Sequence, residues 1–414
     1  MRHFADFHFH SKYSRAVSPD MELDGLNAGA KKKGLTILGT GDFTHPLWFK
    51  ELKNRLQPEG NGFYRLNDVS VRFMLTCEVS TIASTAKGVK RVHHVLHAPN
   101  LEVVAQVNDV LGKKGNLAAD GRPTFGKTTP AELVELLVSV SREVVVVPAH
   151  AWTPWFSVFG SNSGFDSLDE AYEDQANHIF ACETGMSSDP AMNWRLSQLD
   201  RISLLSNSDS HSPHPWRLGR ECNVFDFSDE QLSYPALWKA VREKDQNHFT
   251  YTIETPPAYG KYHSDGHRAC GFSCPPQKTR ALKGICPKCN RPLTIGVQYR
   301  VEKLADRPEG FIPKNAVPFK TLLPLHELLA AVTGKALSTR TVQAVADALI
   351  ARAGSELAVL LDLPESAIAS VAGPRVARAV VSNRNADVPV IPGFDGQYGR
   401  PRLKKNRKGL TLEV

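Results

Sequence analysis

The sequence contains no run of about 18 apolar residues, so no membrane-spanning helix is expected. It opens on MRHFADFHFH, which has no apolar core of a secretory signal. The cytoplasm is therefore the expected compartment. Three nucleotide or nucleophile signatures are also missing. There is no GxSxG serine elbow, no GxxxxGK[ST] phosphate loop, and no GxGxxG followed by an acidic residue. These absences count against a serine hydrolase, a phosphate-loop nucleotidase and a dinucleotide enzyme. No internal repeat is present, which excludes a solenoid.

What remains is an ordinary globular composition. The chain has 414 residues, 42% of them hydrophobic and 22% charged, a length that suits two or three domains. Seven cysteines make an odd number, and four of them crowd between residues 270 and 289. In a cytoplasmic chain such a crowd points to metal rather than to disulfides. The net charge is +7, and residues 400–414 supply much of it through Arg400, Arg402, Lys404, Lys405, Arg407 and Lys408. A tail of this kind is either a solvated end or an arm for a polyanion, and the two are compatible.

Residues 1–230 alternate short apolar strands with helical stretches. The strand-like segments are ADFHFH, GLTILGTGDF, RFMLTCEVS, REVVVVPAH, HIFACETG and ISLLSNSDSH. The alternation predicts a parallel α/β barrel or sheet, with polar residues gathered at the strand C-termini. Those residues, in order, are His8 and His10; Asp42 and His45; Glu78; His93, His94 and His97; His150; Glu183; and Asp209 with His211. On an extended stretch His8 and His10 share one face, with Phe7 and Phe9 on the other. A lone histidine near an apolar strand is usually a packed residue, and a lone aspartate at a strand end is often a helix cap. Their joint occurrence is different, because crowded buried carboxylates and imidazoles are costly unless cations neutralise them. Mixed imidazole and carboxylate ligation suits Zn, Mn or Fe more than Mg alone, and divalent metals (Zn, Mn or Mg) are expected. Cations held this way would support hydrolysis of a phosphate ester.

GHRACGFSC followed by GICPKCN has zinc-ribbon spacing. The four ligands are His267, Cys270, Cys286 and Cys289, or the same set with Cys274 in place of His267. Four ligands leave no open position, so this zinc is expected to be structural. Cys77, Cys182 and Cys222 read as buried strand residues.

FHFHSKYS, GTGDF, CE before VHH, PAH and SDSH resemble, in order, the motifs of the polymerase-and-histidinol-phosphatase (PHP) phosphoesterase family. That resemblance implies a distorted (βα)7 barrel holding two or three metals. Carried over, His8, His10, Glu78 and Asp209 would hold the first metal. Glu78 would bridge to a second, completed by His150 and by His93, with His94 as the alternate. Asp42 and His211 would serve a third site. Arg15 and Phe43 stand where the family often has histidines, and His45 is the substitute at hand. These implied ligands make His8, His10, Glu78, His150 and Asp209 the expected catalytic set.

The likeness extends further. DGHRACGFSC…ICPKCNRPLTIGVQYRVEKLADRPEGF, VPFKTLLPLHELLAAV, GSELAVLLDLP, PRVARAV and IPGFDGQYG resemble the endonuclease Q family over roughly residues 1–400. That resemblance implies a barrel at 1–235, a linker and zinc-binding module at 236–304, a C-terminal helical domain at 305–399 and a basic tail at 400–414. It implies a repair enzyme that nicks DNA 5′ to deaminated bases (uracil, hypoxanthine, xanthine) or abasic sites, leaving a 3′-hydroxyl and a 5′-phosphate. DNA is the implied partner, with other repair or replication proteins as further ones. Such an enzyme flips the damaged nucleotide into a pocket. Trp152, Trp155 and Phe156, just after His150, are candidates to stack on the base or wedge the duplex; packing is the alternative. Arg217 and Arg220 are candidate phosphate contacts, as are Lys12 and Tyr13 in the first loop. Glu183 either orients a ligand or discriminates the base. Tyr398 is a further candidate for DNA contact, with packing favoured. The competing function is a phosphatase acting on a small monoester.

Overall fold

A computed structural model describes residues 1–66 and 70–402, with the backbone of 404–406 and 409–411. Arg400 and Arg402 of the basic tail fall within it. Arg407, Lys408 and the side chains of Lys404 and Lys405 lie outside the described residues. Among the described residues no helix is long and apolar enough to cross a membrane.

Seven strands carry the site: β1 (Arg2–Asp6), β2 (Ile37–Gly39), β3 (Arg72–Thr85), β4 (Gly88–Ala98), β5 (Val145–Pro148), β6 (Ala181–Glu183) and β7 (Ser203–Leu205). β1 pairs in parallel with β2, and β2 with β3. β3 and β4 then form an antiparallel hairpin, and β4 pairs antiparallel with β5. β6 and β7 pair in parallel. Backbone bonds beyond the strand ends bring the row round: Ala151 N–H donates to the Glu183 carbonyl (3.0 Å), and His10 N–H to the Ser210 carbonyl (3.0 Å). Phe9 bridges Ser210 in parallel, so the seventh strand's extension lies beside the first.

The sheet is thus mixed, where strand–helix alternation predicts a parallel one. The reason is local. Only two residues separate Thr85 from Gly88, and so short a turn can join antiparallel strands only. β8 (Cys222–Asp226) and β9 (Phe249–Glu254) extend the sheet antiparallel on the other side of β1. Residues 230–265, where the sequence pattern changes, do not break this sheet, since β9 lies inside it.

Helix Pro130–Val140 shows how the chain starts its helices. Thr129 and Glu132 form a reciprocal capping box with proline at the first position. Helix Val297–Leu304 closes the Cys/His segment, and among the described residues five more follow it: Leu325–Thr333, Arg340–Ala353, Glu356–Leu361, Glu365–Ala372 and Pro374–Arg384. They are tied to the sheet by the short strand Phe319–Thr321, which pairs with β9. A fully buried ion pair, Lys33 Nζ to Glu356 Oε1 at 2.7 Å, adds a second tie.

Candidate metal centre

Regular pairing of β1 ends at Asp6, but the chain stays extended through His10. Phe7 and Phe9 are buried in hydrophobic clusters on one side, which turns His8 and His10 to the other. Glu78 lies between two sets of imidazoles. Its Oε2 is 3.2 Å from His10 Nε2. Its Oε1 is 2.9 Å from His93 Nδ1, 3.2 Å from His150 Nε2 and 3.5 Å from His8 Nε2. Asp209 Oδ1 stands 3.4 Å from His10 Nε2 and 3.7 Å from His8 Nε2. Three overlapping ligand groups result: His8, His10 and Glu78; Glu78, His93 and His150; His10, Asp209 and His211.

The outward nitrogens are fixed from behind. Glu183 accepts from His8 Nδ1 (3.0 Å), from the His150 backbone N–H (2.8 Å) and from Asn207 Nδ2 (2.8 Å). Asp42 accepts from His10 Nδ1 (3.1 Å), Ser11 N–H (2.6 Å), Ser11 Oγ (2.7 Å) and Ser14 Oγ (2.9 Å). Ser157 Oγ lies 2.9 Å from His150 Nδ1. A carboxylate behind each imidazole is the usual way a protein sets tautomer and aim for a metal ligand. His8 Nε2, His10 Nε2 and Asp209 Oδ1 point inward, buried and without a hydrogen-bond partner. Asp42, His150 and Asp209 hold positive φ angles of 46°, 29° and 45°, strain of the kind that clusters at functional sites.

The electrostatics agree with a cation site. Burial pushes the Glu78 carboxyl up, yet His93, Arg122 and His8 outweigh it and hold the group well below the usual range. Burial likewise opposes Asp209, and His10, His8 and His211 override it downward. Burial disfavours charge on His8, but Glu183 and Glu78 carry it well above the ordinary imidazole value. Asp42, Asp209 and Glu78 do the same for His10. Burial brings His93 down to about 4, so its ring is neutral at pH 7. Divalent cations would fit this donor set, displacing the shared protons.

Residues 324–387 match a family model described as the MJ0043 C-terminal domain. Uncharacterized protein MJ0043 of Methanocaldococcus jannaschii is 30% identical over 274 residues, 64% of this chain and 33% of that protein. The chain thus aligns with about a third of that relative's length. Uncharacterized protein YqxK of Bacillus subtilis is 26% identical over 413 residues, 96% of this chain and 98% of the relative. The crystal structure of the lesion-specific endonuclease PfuEndoQ from Pyrococcus furiosus superposes with a TM-score of 0.86 at 35% identity, covering 97% of this chain and 95% of that one. This chain belongs to the endonuclease Q family. Endonuclease Q crystallised with a 27-mer duplex substrate, an abasic lesion at its active site, gives a TM-score of 0.87 at 35% identity over 97% and 96% of the two chains.

Within this endonuclease Q chain several expected site residues take other places. His94 is not in the cluster. Ser80 pairs with His93, and Glu78 two residues before it faces Val95, so His93 shares the Glu78 face; His94 opposes Val79 and turns away. It packs edge-on against Tyr172, and burial lowers its pKa to about 3. Asp42 stands outside the three ligand groups, and its oxygens accept from His10, Ser11 and Ser14. His45 lies outside the ligand groups, at the N-terminal position of helix Pro46–Arg55 without a side-chain cap bond, and its ring stacks on Tyr13 at 4.4 Å. Lys12 pairs with Glu51 (3.2 Å) and Glu22 (3.6 Å). Trp152 is a core residue, buried against Phe159 with its indole N–H on Asn193 Oδ1 (2.8 Å). Trp155 is exposed beside Tyr262, and Phe156 packs on the His93 ring at 4.7 Å.

A cavity of about 290 Å³ opens beside the cluster. His150, Glu183, Asp209 and His211 line it together with Arg217, Arg220, Lys261 and Tyr398. Glu183 therefore both holds His8 and lines the pocket. Arg220 donates twice to the Ser208 carbonyl (3.1 and 2.8 Å) and once to Tyr398 Oη (3.3 Å). Tyr398 thus packs and faces the cavity at once. Sequence reasoning missed Asn207 and Lys261, and it missed Arg122, whose Nη1 donates to Glu78 Oε2 at 3.0 Å.

Away from this site, the ligand atoms of His267, Cys270, Cys286 and Cys289 lie within 4.8 Å of one another. Cys274 is outside that group, buried with its Sγ 3.3 Å from Thr279 Oγ1. Burial opposes ionisation of Cys286, but the backbone N–H groups of Lys288 and Cys289 bring its thiol down to about 7.

Proposed function

We propose that the chain is a metal-dependent endodeoxyribonuclease that nicks the phosphodiester 5′ to a deaminated base (uracil, hypoxanthine or xanthine) or to an abasic site. The observation that carries this reading is Glu78 set between two groups of imidazoles, with buried ligand atoms of His8, His10 and Asp209 that converge on one another without forming a hydrogen bond. Membership of a family with a lesion-specific endonuclease supports the substrate class.

Residues 1–235 form a PHP-type distorted (βα)7 barrel in this reading. A zinc-binding module lies within 236–304, a helical domain at 305–399 and a basic tail at 400–414. His8, His10, Glu78 and Asp209 hold one cation, and Glu78, His93 and His150 a second; Zn, Mn and Mg are the candidates. Bound there, the cations would supply a reactive water near neutral pH and neutralise phosphate charge. A third site would draw on His211 with His10 and Asp209, which converge with it, while Asp42 stands behind His10. His267, Cys270, Cys286 and Cys289 hold a structural zinc.

The chain's own residues do the rest. Glu183 and Asp42 fix the aim of His8 and His10. The pocket beside His150 and Asp209 receives the flipped nucleotide, and flipping costs a few kcal/mol, less where base pairing is already weak. Arg217, Arg220 and Lys261 place positive charge on its lining. Trp155 is exposed beside Tyr262, which lines the pocket, and is the aromatic face that would take the place of a lost stacking neighbour, while Phe156 packs on His93.

The test is cleavage of end-labelled duplexes, each with one uracil, hypoxanthine or abasic site, beside an undamaged control, with Mn²⁺ or Mg²⁺. A single metal-dependent nick 5′ of the lesion is expected, absent in Asp209→Asn and falling steeply with salt. Hydrolysis of a small monoester without any lesion cleavage would overturn the reading.

A further inference from the structure

The segment joining helix Leu101–Gly112 to strand Thr124–Gly126 presses on the cluster. Gly121 N–H donates to the Tyr13 carbonyl (3.1 Å). A Cβ on Gly121 would stand 2.2 Å from Ser14 Oγ and 2.3 Å from Asp42 Oδ2. Only glycine allows that approach to the groups holding His10. The next residue is thereby delivered to the mouth of the cluster. Arg122 Nη1 meets Glu78 Oε2 at 3.0 Å, with the side chain still a third exposed.

A guanidinium carries five N–H donors in a planar fork. Among the described residues, Glu78 is the one side chain the Arg122 guanidinium donates to, while the backbone N–H of Arg122 donates to Asp120 Oδ1 at 3.2 Å. Three neighbouring cations, Lys12, Arg15 and Arg220, are held by other groups, while Arg217 and Lys261 line the cavity. Lys12 pairs with Glu51 and Glu22, and Arg15 with Asp120 at 3.3 Å. Arg220 is held on the Ser208 carbonyl. Arg122 therefore brings a permanent charge and unengaged donors to the solvent side of Glu78, where a phosphate must arrive.

We infer that Arg122 is a catalytic residue, contacting a non-bridging oxygen of the scissile diester and stabilising the negative charge that builds there. The inference rests on the nuclease reading above. In that reaction water oxygen bonds to phosphorus and the P–O3′ bond breaks. The electron pair leaves with the 3′ oxygen, which takes one proton of the water, and the other stays with or ionises from the new 5′-phosphate. With cations on Glu78, the guanidinium loses part of its attraction there and its fork is open to the phosphate, a geometry arginine matches in bidentate fashion.

The test uses the Mn²⁺-loaded protein and its R122K and R122A variants. Inorganic phosphate is titrated in by calorimetry, bound manganese is measured by mass spectrometry, and lesion-duplex cleavage is followed at saturating DNA. R122A is expected to keep its manganese, to bind phosphate about tenfold more weakly, and to lose about 10²–10³-fold in kcat. R122K is expected to recover part of both. Loss of manganese in R122A with unchanged phosphate affinity per loaded site would overturn the inference, leaving Arg122 as a support for Glu78. Arg122-dependent phosphate binding in a protein that cuts no lesion would sink the nuclease reading and keep the phosphate contact.

Discussion

Glu183 accepts the Nδ1 proton of His8 at 3.0 Å and, through its second oxygen, the backbone N–H of His150 at 2.8 Å. One carboxylate thus fixes the His8 ring and the backbone from which His150 projects, two residues far apart in sequence. Replacing it with the isosteric amide keeps the shape and removes the charge. Glu183→Gln is expected to weaken metal affinity about 10–100-fold. Raised Mn²⁺ would restore the bound metal, read by titration against a chelator. Unchanged affinity would show that Glu183 acts on the pocket and not on the imidazoles.

The Cys/His cluster makes a sharper distinction. His267→Ala removes one of four converging ligands, whereas Cys274→Ser alters a thiol outside the group that bonds Thr279. The expected outcome is loss of bound zinc in the first variant and full zinc in the second, by metal analysis of the purified proteins. Unfolding of residues around 265–295 should accompany the loss, since a closed four-ligand site contributes folding free energy directly. Zinc retained in His267→Ala but lost in Cys274→Ser would reverse the assignment.

Much of this site was legible because imidazoles and carboxylates at the ends of apolar strands have few other uses when they occur together. Asp42 shows the limit of that logic. A carboxylate that orients a ligand and one that is a ligand look the same in sequence, and the orienting use of Asp42 shows only in its four hydrogen bonds. Trp152 shows another limit. The run AWTPWF places three aromatics near His150, but which ring turns inward depends on the loop's path, including the positive φ at Phe156. Arg122 sits in a polar loop with no periodicity to mark it, and its role depends on Gly121 reaching residues some eighty to one hundred positions away. The β3–β4 hairpin, which makes the sheet mixed, was hidden because the alternation of strands and helices pauses there for only two residues.

Lys33 and Glu356 join the helix Leu23–Lys33 to the C-terminal helices, and both are fully buried. His326 Nδ1 adds a contact to Glu356 at 3.3 Å, and Lys33 Nζ also donates to the Pro215 carbonyl at 2.8 Å, in the loop that carries Arg217. Burial raises the Glu356 carboxyl, and Lys33 and His326 pull it below the usual range. Lys33→Met leaves that carboxylate without its main partner. A loss of about 3–5 kcal/mol is expected, because an uncompensated buried charge is strongly destabilising. Urea denaturation gives the value. The double variant Lys33→Met with Glu356→Gln should recover a large part of the loss; no recovery would mean that the helix contact itself, and not the charge, holds the domains.

His97 offers a test of stability against pH outside the metal cluster. Its ring lies between Phe7 (5.7 Å) and Trp238 (4.5 Å), and neither nitrogen has a hydrogen-bond partner among the described residues. Burial, with a smaller push from His8, lowers its pKa to about 3. The unfolded chain takes up a proton near 6.5, the folded one only near 3. Between those values the unfolded state binds more protons, so stability is lost as the pH falls below 6.5. At pH 5 the loss from this one residue is about 2 kcal/mol. His97→Phe keeps an aromatic ring in the slot and removes the titration. The urea midpoint of the variant should therefore fall less between pH 7 and pH 5 than that of the parent chain, whatever the two midpoints are at pH 7. An equal fall in both would place the acid sensitivity elsewhere and mean that the His97 slot admits a charged ring.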